Sequence, residues 1–71
     1  MKPYDYEVDI VPLSEADGGG FSAIAPELPG CRSDGDTPQA ALENIYDAIN
    51  CWMEAAQEMG RAIPQPRRIA A

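Results

Sequence analysis

The stretch Thr37-Pro38-Gln39-Ala40-Ala41-Leu42-Glu43-Asn44-Ile45-Tyr46-Asp47-Ala48-Ile49 is where the chain changes its hydrophobic period. From here on Leu42, Ile45, Ile49, Trp52, Ala56 and Met59 recur at the spacing of one helix face. Ala41, Ala48 and Met53 widen the stripe, while Glu43, Asp47, Glu54 and Glu58 sit off it. Thr37 suits the N-cap, and Pro38 suits the first helical position, whose N–H has no intrahelical partner anyway. Ala40 stands where a capping box would place Glu or Gln, so helix-start stability of roughly 0.5–1 kcal/mol is forgone. Gly60 is the natural C′ residue. The expectation is one long amphipathic helix ending at Gly60.

Upstream the period is two. Tyr4, Tyr6, Val8 and Ile10 alternate with Asp5, Glu7 and Asp9, so Tyr4 to Val11 reads as a half-buried strand that Pro12 ends. Ser14 to Gly20 is a polar turn in which Gly18-Gly19-Gly20 supplies positive φ wherever a hairpin needs it. Phe21 to Ala25 is the returning strand, and Pro26 and Pro29-Gly30 punctuate the chain. Cys31 to Ser33 reads as a third short strand closed by an Asp34-Gly35 turn. Past the helix, Arg61 to Pro66 is extended and able to add a short edge strand, and Arg67 to Ala71 reads as a flexible tail. The predicted fold is α+β: a three-stranded antiparallel sheet with one helix on one face (β-β-β-α, with or without a final β). Leu42, Ile45, Ile49, Trp52 and Ala56 are expected to pack onto Tyr4, Tyr6, Val8, Ile10 and Phe21. The outer sheet face then carries Asp5, Glu7 and Asp9 together with Val11 and Ile24.

With 71 residues the chain is a single domain whose fold is marginal by itself, which favours a homodimer or higher homo-oligomer. A hydrophobic fraction of 45% argues against disorder, although 11 of those residues are Ala. The formal net charge of -7 repels phosphates, so direct nucleic-acid binding is not expected, and it suits a basic partner. Solubility alone would also explain such a charge. The start of the chain has no apolar signal region and no run approaches membrane-spanning length, so a cytoplasmic location with both thiols reduced is expected.

Several residues invite a chemical reading. Asp5, Glu7 and Asp9 on one strand face are a candidate metal-binding carboxylate set. Alternating charges on a strand are more often its wet side, and two-metal chemistry needs acids converging from other elements. Cys31 and Cys51 have no His in the chain to activate them or complete a zinc site, so small apolar roles are expected. The glycine turn lacks the Lys-Ser/Thr ending of a phosphate loop. Asp34-Gly35-Asp36-Thr37 lacks the calcium-loop pattern and reads as a turn followed by a cap. No catalytic residue, cofactor or metal site is assigned, and the chain is not expected to be an enzyme.

Gly19-Gly20-Phe21, Ala23, Pro26, Leu28-Pro29-Gly30-Cys31, Ser33-Asp34-Gly35-Asp36-Thr37, Ala41-Leu42, Asn44, Ala48, Trp52 and Gly60…Ile63-Pro64 occur in an order that resembles the HicB-like antitoxins. The resemblance spans about Tyr4 to Pro66. It implies a partial ribonuclease-H-like fold over residues 1–66. It also implies a type II toxin-antitoxin function: binding and masking a small basic HicA-type toxin that cuts mRNA with a histidine. Many such proteins carry a C-terminal operator-binding domain, and none is expected here. Asp5, Asp9, Glu43, Asp47 and Glu54 are the candidate toxin-binding charges, without a choice between strand and helix sets. The competing readings are a degenerate metal-dependent ribonuclease-H-like nuclease and an orphan homo-oligomeric structural protein.

Overall fold

The computed structural model describes residues 2–66. A 3-10 turn at Pro3–Asp5 leads into β1 (Asp9–Pro12), a second 3-10 turn at Glu15–Asp17, β2 (Phe21–Ile24), β3 (Arg32–Gly35) and α1 (Pro38–Glu58). The three strands form one antiparallel sheet in the order β1-β2-β3, with Ile10 opposite Ala23 and Ala23 opposite Ser33. The α+β arrangement is the predicted one. Among the described residues, 61–66 form no strand, so the optional final β is not there.

Helix α1 starts as the sequence requires. The Thr37 hydroxyl accepts a hydrogen bond from the Ala40 amide at 3.0 Å, and Pro38 occupies the first turn. Gly60 follows the helix at φ 68°, the left-handed conformation that releases the chain. The hairpin between β1 and β2 turns on Gly18, Gly19 and Gly20, all at positive φ.

The first strand is shorter than predicted. Tyr4 and Asp5 lie in the 3-10 turn, and pairing begins only at Asp9. The reason is local. Pro3 has no N–H to give a ladder, and the Asp5 carboxylate closes the turn by accepting from the Lys2 amide at 3.0 Å. Pro12 ends the strand as expected, standing as its last paired residue, which an edge strand tolerates. The third strand runs one residue later than expected and takes in Asp34 and Gly35, which are not a turn.

The core also departs from expectation. The buried helix positions are Ala41, Ile45, Ile49, Met53 and Ala56, whereas Leu42 and Trp52 are only partly buried. Tyr6, Val8, Ile10 and Phe21 pack on the core as predicted, but Tyr4 is 63% exposed. Four-residue strands rise about 13 Å, and a 21-residue helix spans about 31 Å, so the helix overhangs its sheet. The β2–β3 connection fills the gap: Ala25, Leu28 and Cys31 are buried, although their prolines and glycine read as punctuation. Trp52 lies across this connection, and its indole N–H donates to the Pro29 carbonyl at 2.9 Å. On the other flank, Ile63 packs against the core and the Tyr6 hydroxyl donates to the Pro64 carbonyl at 2.7 Å.

Candidate functional site

An α-helix advances 100° per residue, so Glu43, Asp47, Glu54 and Glu58 fall within a narrow arc of α1. All four are exposed, on the side away from the buried stripe that begins at Ala41. They extend over about 22 Å of helix. Asn50 and Cys51, between them, are also exposed. None of the side-chain hydrogen bonds among the described residues uses these carboxylates.

This ridge brings the helix no stability. Acids four residues apart repel by a few tenths of a kcal/mol, and Glu58 stands at the helix end whose dipole favours cations. The helix has no acidic residue in its first turn and no basic residue in its last. The charge is thus arranged against the needs of the isolated helix and leaves an anionic surface along its length that has no hydrogen-bond partner among the described residues.

The strand acids behave differently. Asp5 caps the 3-10 turn, the Glu7 amide donates to the Glu27 carboxylate, and Asp9 alone lies in the paired strand. The expected row of Asp5, Glu7 and Asp9 on one strand face therefore does not form. No group of three or more His, Cys, Asp or Glu among the described residues is placed to hold a metal.

Asp17 joins Asp34 and Asp36, the pair weighed above for calcium, around one hollow, without forming a metal-holding group. Asp17, Asp34 and Asp36 border a shallow hollow of about 210 Å³ beside Gly18 and Gly35. Only the tertiary pairing of the hairpin turn with the end of β3 brings them together. A more apolar hollow of about 220 Å³ lies under the β2–β3 connection, between Ile24, Leu28 and Arg32.

Cys31 is buried, as expected for a small apolar filler, and Cys51 is exposed on the helix, which was not expected. Burial, then the nearby Cys51, pushes the Cys31 thiol up, the opposite of what an activated nucleophile needs. Burial, then Glu27 and Asp5, raises the Tyr6 phenol. Neither group is tuned for acid–base work at neutral pH.

Residues 6–71 match the family model described as "HicB_like antitoxin of bacterial toxin-antitoxin system". The chain belongs to this family. Two UPF0150 proteins of Synechocystis sp. are each 35% identical to it over 60 residues, covering 84% of this chain and 75% and 78% of theirs. A UPF0150 protein of Thermoplasma acidophilum is 33% identical over 53 residues, covering 75% of this chain and 77% of its own. No solved structure matches. The HicB-like match extends beyond the described residues to include 67–71, where the sequence reading placed a tail. Among the described residues, no helix of this HicB-like chain is long and apolar enough to cross a membrane.

Proposed function

We propose that this chain is the antitoxin of a type II toxin-antitoxin pair, and that it binds and masks a small basic mRNA-cleaving HicA-type toxin. Membership of the HicB-like antitoxin family supports a toxin partner in general. The observation that carries the specific reading is the anionic ridge of α1, with Glu43, Asp47 and Glu54 exposed along one side of a rigid element. A nuclease that grips RNA presents cationic surface, and a line of carboxylates complements it. The ridge is preferred to the strand acids because Asp5 is committed to its own turn and Asp9 stands apart from it. In this reading the protein acts in the cytoplasm, as a homo-oligomer with a partial ribonuclease-H-like fold, without nucleic-acid contacts of its own. It is not an enzyme and needs no cofactor.

The test is association with the cognate toxin, followed by stopped-flow mixing across a salt series. Steering by unpaired surface charge should make the on-rate fall as salt screens it, over a Debye length of ~8 Å at physiological ionic strength. The triple variant Glu43→Gln/Asp47→Asn/Glu54→Gln should associate about tenfold more slowly at low salt and show a flatter salt dependence. It should also protect RNA less well from the toxin. Asp5→Asn/Asp9→Asn should leave both readouts near wild type. Equal on-rates for the triple variant and the wild type would exclude the ridge as the toxin-facing surface.

A further inference from the structure

We infer that the hollow under the β2–β3 connection binds the C-terminal carboxylate of a partner polypeptide whose last side chain is aliphatic, with the Arg32 guanidinium and the Gly30 amide as donors. The inference goes beyond toxin binding and does not depend on it.

The connection turns sharply at Leu28-Pro29-Gly30-Cys31. The Cys31 amide donates to the Leu28 carbonyl at 3.0 Å and Gly30 stands at φ 77°, which makes a type II turn with Pro29 and Gly30 at its centre. The Pro29–Gly30 peptide is trans and planar, so its C=O and N–H point in opposite directions. Its carbonyl accepts from the Trp52 indole of α1 at 2.9 Å, so the Gly30 N–H points away from the helix. That N–H has no acceptor among the described residues. Ile24 and Arg32 lie on the same side. Ala23 and Ala25 are core residues on the helix face of β2, so Ile24 between them faces away, and Arg32 stands opposite Ile24 in the register.

The hollow of about 220 Å³ lies where these groups meet. Ile24, Pro26, Leu28 and Pro29 supply apolar walls, and the exposed Gly30 and Arg32 border it. It is preformed: Leu28 is fixed in the core, the prolines restrict the backbone, and the Trp52 bond ties the turn to α1. Arg32 is the only basic residue between Asp5 and Glu58, and no carboxylate among the described residues pairs with it. A guanidinium and an amide N–H beside apolar walls select a carboxylate joined to an apolar group. The net charge of -7 repels anions in proportion to their charge, so a monoanion is favoured over a phosphate. The hollow is smaller than the roughly 300–1,000 Å³ of a pocket for a whole small molecule and takes a single side chain. A polypeptide end meets each requirement: one carboxylate for the donors, one side chain for the walls, and a backbone that leaves through the exposed side.

The experiment is a titration of the isotope-labelled full chain, followed by its amide resonances. The probes are acetyl-Gly-Ala-Leu with a free carboxylate, the same peptide ending in an amide, and acetate. The free-acid peptide should saturate with a Kd of about 1 mM and shift the Ile24, Gly30 and Arg32 amides most. The amide-ended peptide and acetate should each bind at least about tenfold more weakly, the first for want of the charge-assisted bonds and the second for want of a side chain. Arg32→Gln should weaken the free-acid peptide at least about tenfold. Arg61→Gln, which removes an exposed cation that does not border the hollow, should leave it unchanged. Unchanged circular dichroism would verify that the variants fold, and the comparison of probes on wild type is independent of any variant. No saturation by about 10 mM peptide, or shifts centred away from the hollow, would overturn the proposal. So would equal binding of the two peptides, acetate binding as tightly as the free-acid peptide, or a folded Arg32→Gln of wild-type affinity.

Discussion

Gly35→Ala should cost the fold a large share of its stability, although Gly35 reads in the sequence as half of a turn. The residue ends β3 where the start of α1 crosses it. A Cβ at this position would collide with the Ala41 amide nitrogen and would lie 2.7 Å from the Ala40 carbonyl carbon and 2.9 Å from the Ala40 Cβ. Ordinary contact between such atoms begins near 3.4 Å, so the helix start must retreat by several tenths of an ångström or more. Ala41 behind it is fully buried, and a radial gap of about 0.5–1 Å forfeits a quarter to a half of each contact there. Overpacking typically costs about 1–3 kcal/mol, and a clash with backbone belongs at the upper end. A chain this size has a total stability of roughly 4–10 kcal/mol, so about 3 kcal/mol is a large share. At about 4–8 °C per kcal/mol, the melting temperature should fall by about 12–24 °C. Thermal melts by circular dichroism, with urea titrations read at constant slope, measure this. Gly30→Ala is the control. Its Cβ meets nothing within 4 Å, but φ is +77°, so it should cost only about 1–2 kcal/mol. A Gly35→Ala melt within about 2 °C of wild type, or a smaller loss than that of Gly30→Ala, would refute the close approach of helix and strand.

Three further outcomes are expected. Trp52→Phe keeps a ring on the β2–β3 connection but loses the N–H bond to the Pro29 carbonyl, so it should cost about 0.5–1.5 kcal/mol by denaturant titration. Trp52→Ala, partly buried in wild type, should cost about 3 kcal/mol, the low end of the range for a core tryptophan. The Tyr6 phenol is raised above 10.0 in the folded state, chiefly by burial. The folded state therefore holds that proton more tightly, and the associated stability, present below the unfolded value, is lost as pH rises past about 10 through the folded pKa. Tyr6→Phe, which also loses the bond to the Pro64 carbonyl, should flatten that alkaline decline while costing about 0.5–1.5 kcal/mol at neutral pH. In thiol labelling of the native protein, exposed Cys51 should react quickly and buried Cys31 only on unfolding. Equal rates would contradict the packing of the β2–β3 connection.

The sequence by itself determined the elements that local chemistry controls. The Thr37-Pro38 start, the period of the apolar helix positions and the Gly60 stop define α1 without reference to the rest of the chain. Three consecutive positive-φ glycines mark the hairpin, because few other residues occupy that region cheaply. The acids of α1 were visible too, since their spacing alone puts them on one side of a helix. Everything that depended on where elements end and what they cover was settled by tertiary structure. Alternation carried the first strand back to Tyr4, but the Asp5 cap and Pro3 hold that segment in a turn. Pro26 and Pro29-Gly30 signal a loop. That Leu28 and Cys31 within it are core follows only from a helix longer than its sheet, whose overhang needs covering. The expected row of strand acids had the same character. Carboxylates two apart in sequence share a face only if the segment is a strand, and at Asp5 it is not. Likewise, which backbone groups of β1 face away from β2 is a property of hydrogen-bond phase, which no residue type encodes and only the pairing of Leu13 with Gly20 and Ala25 with Cys31 reveals.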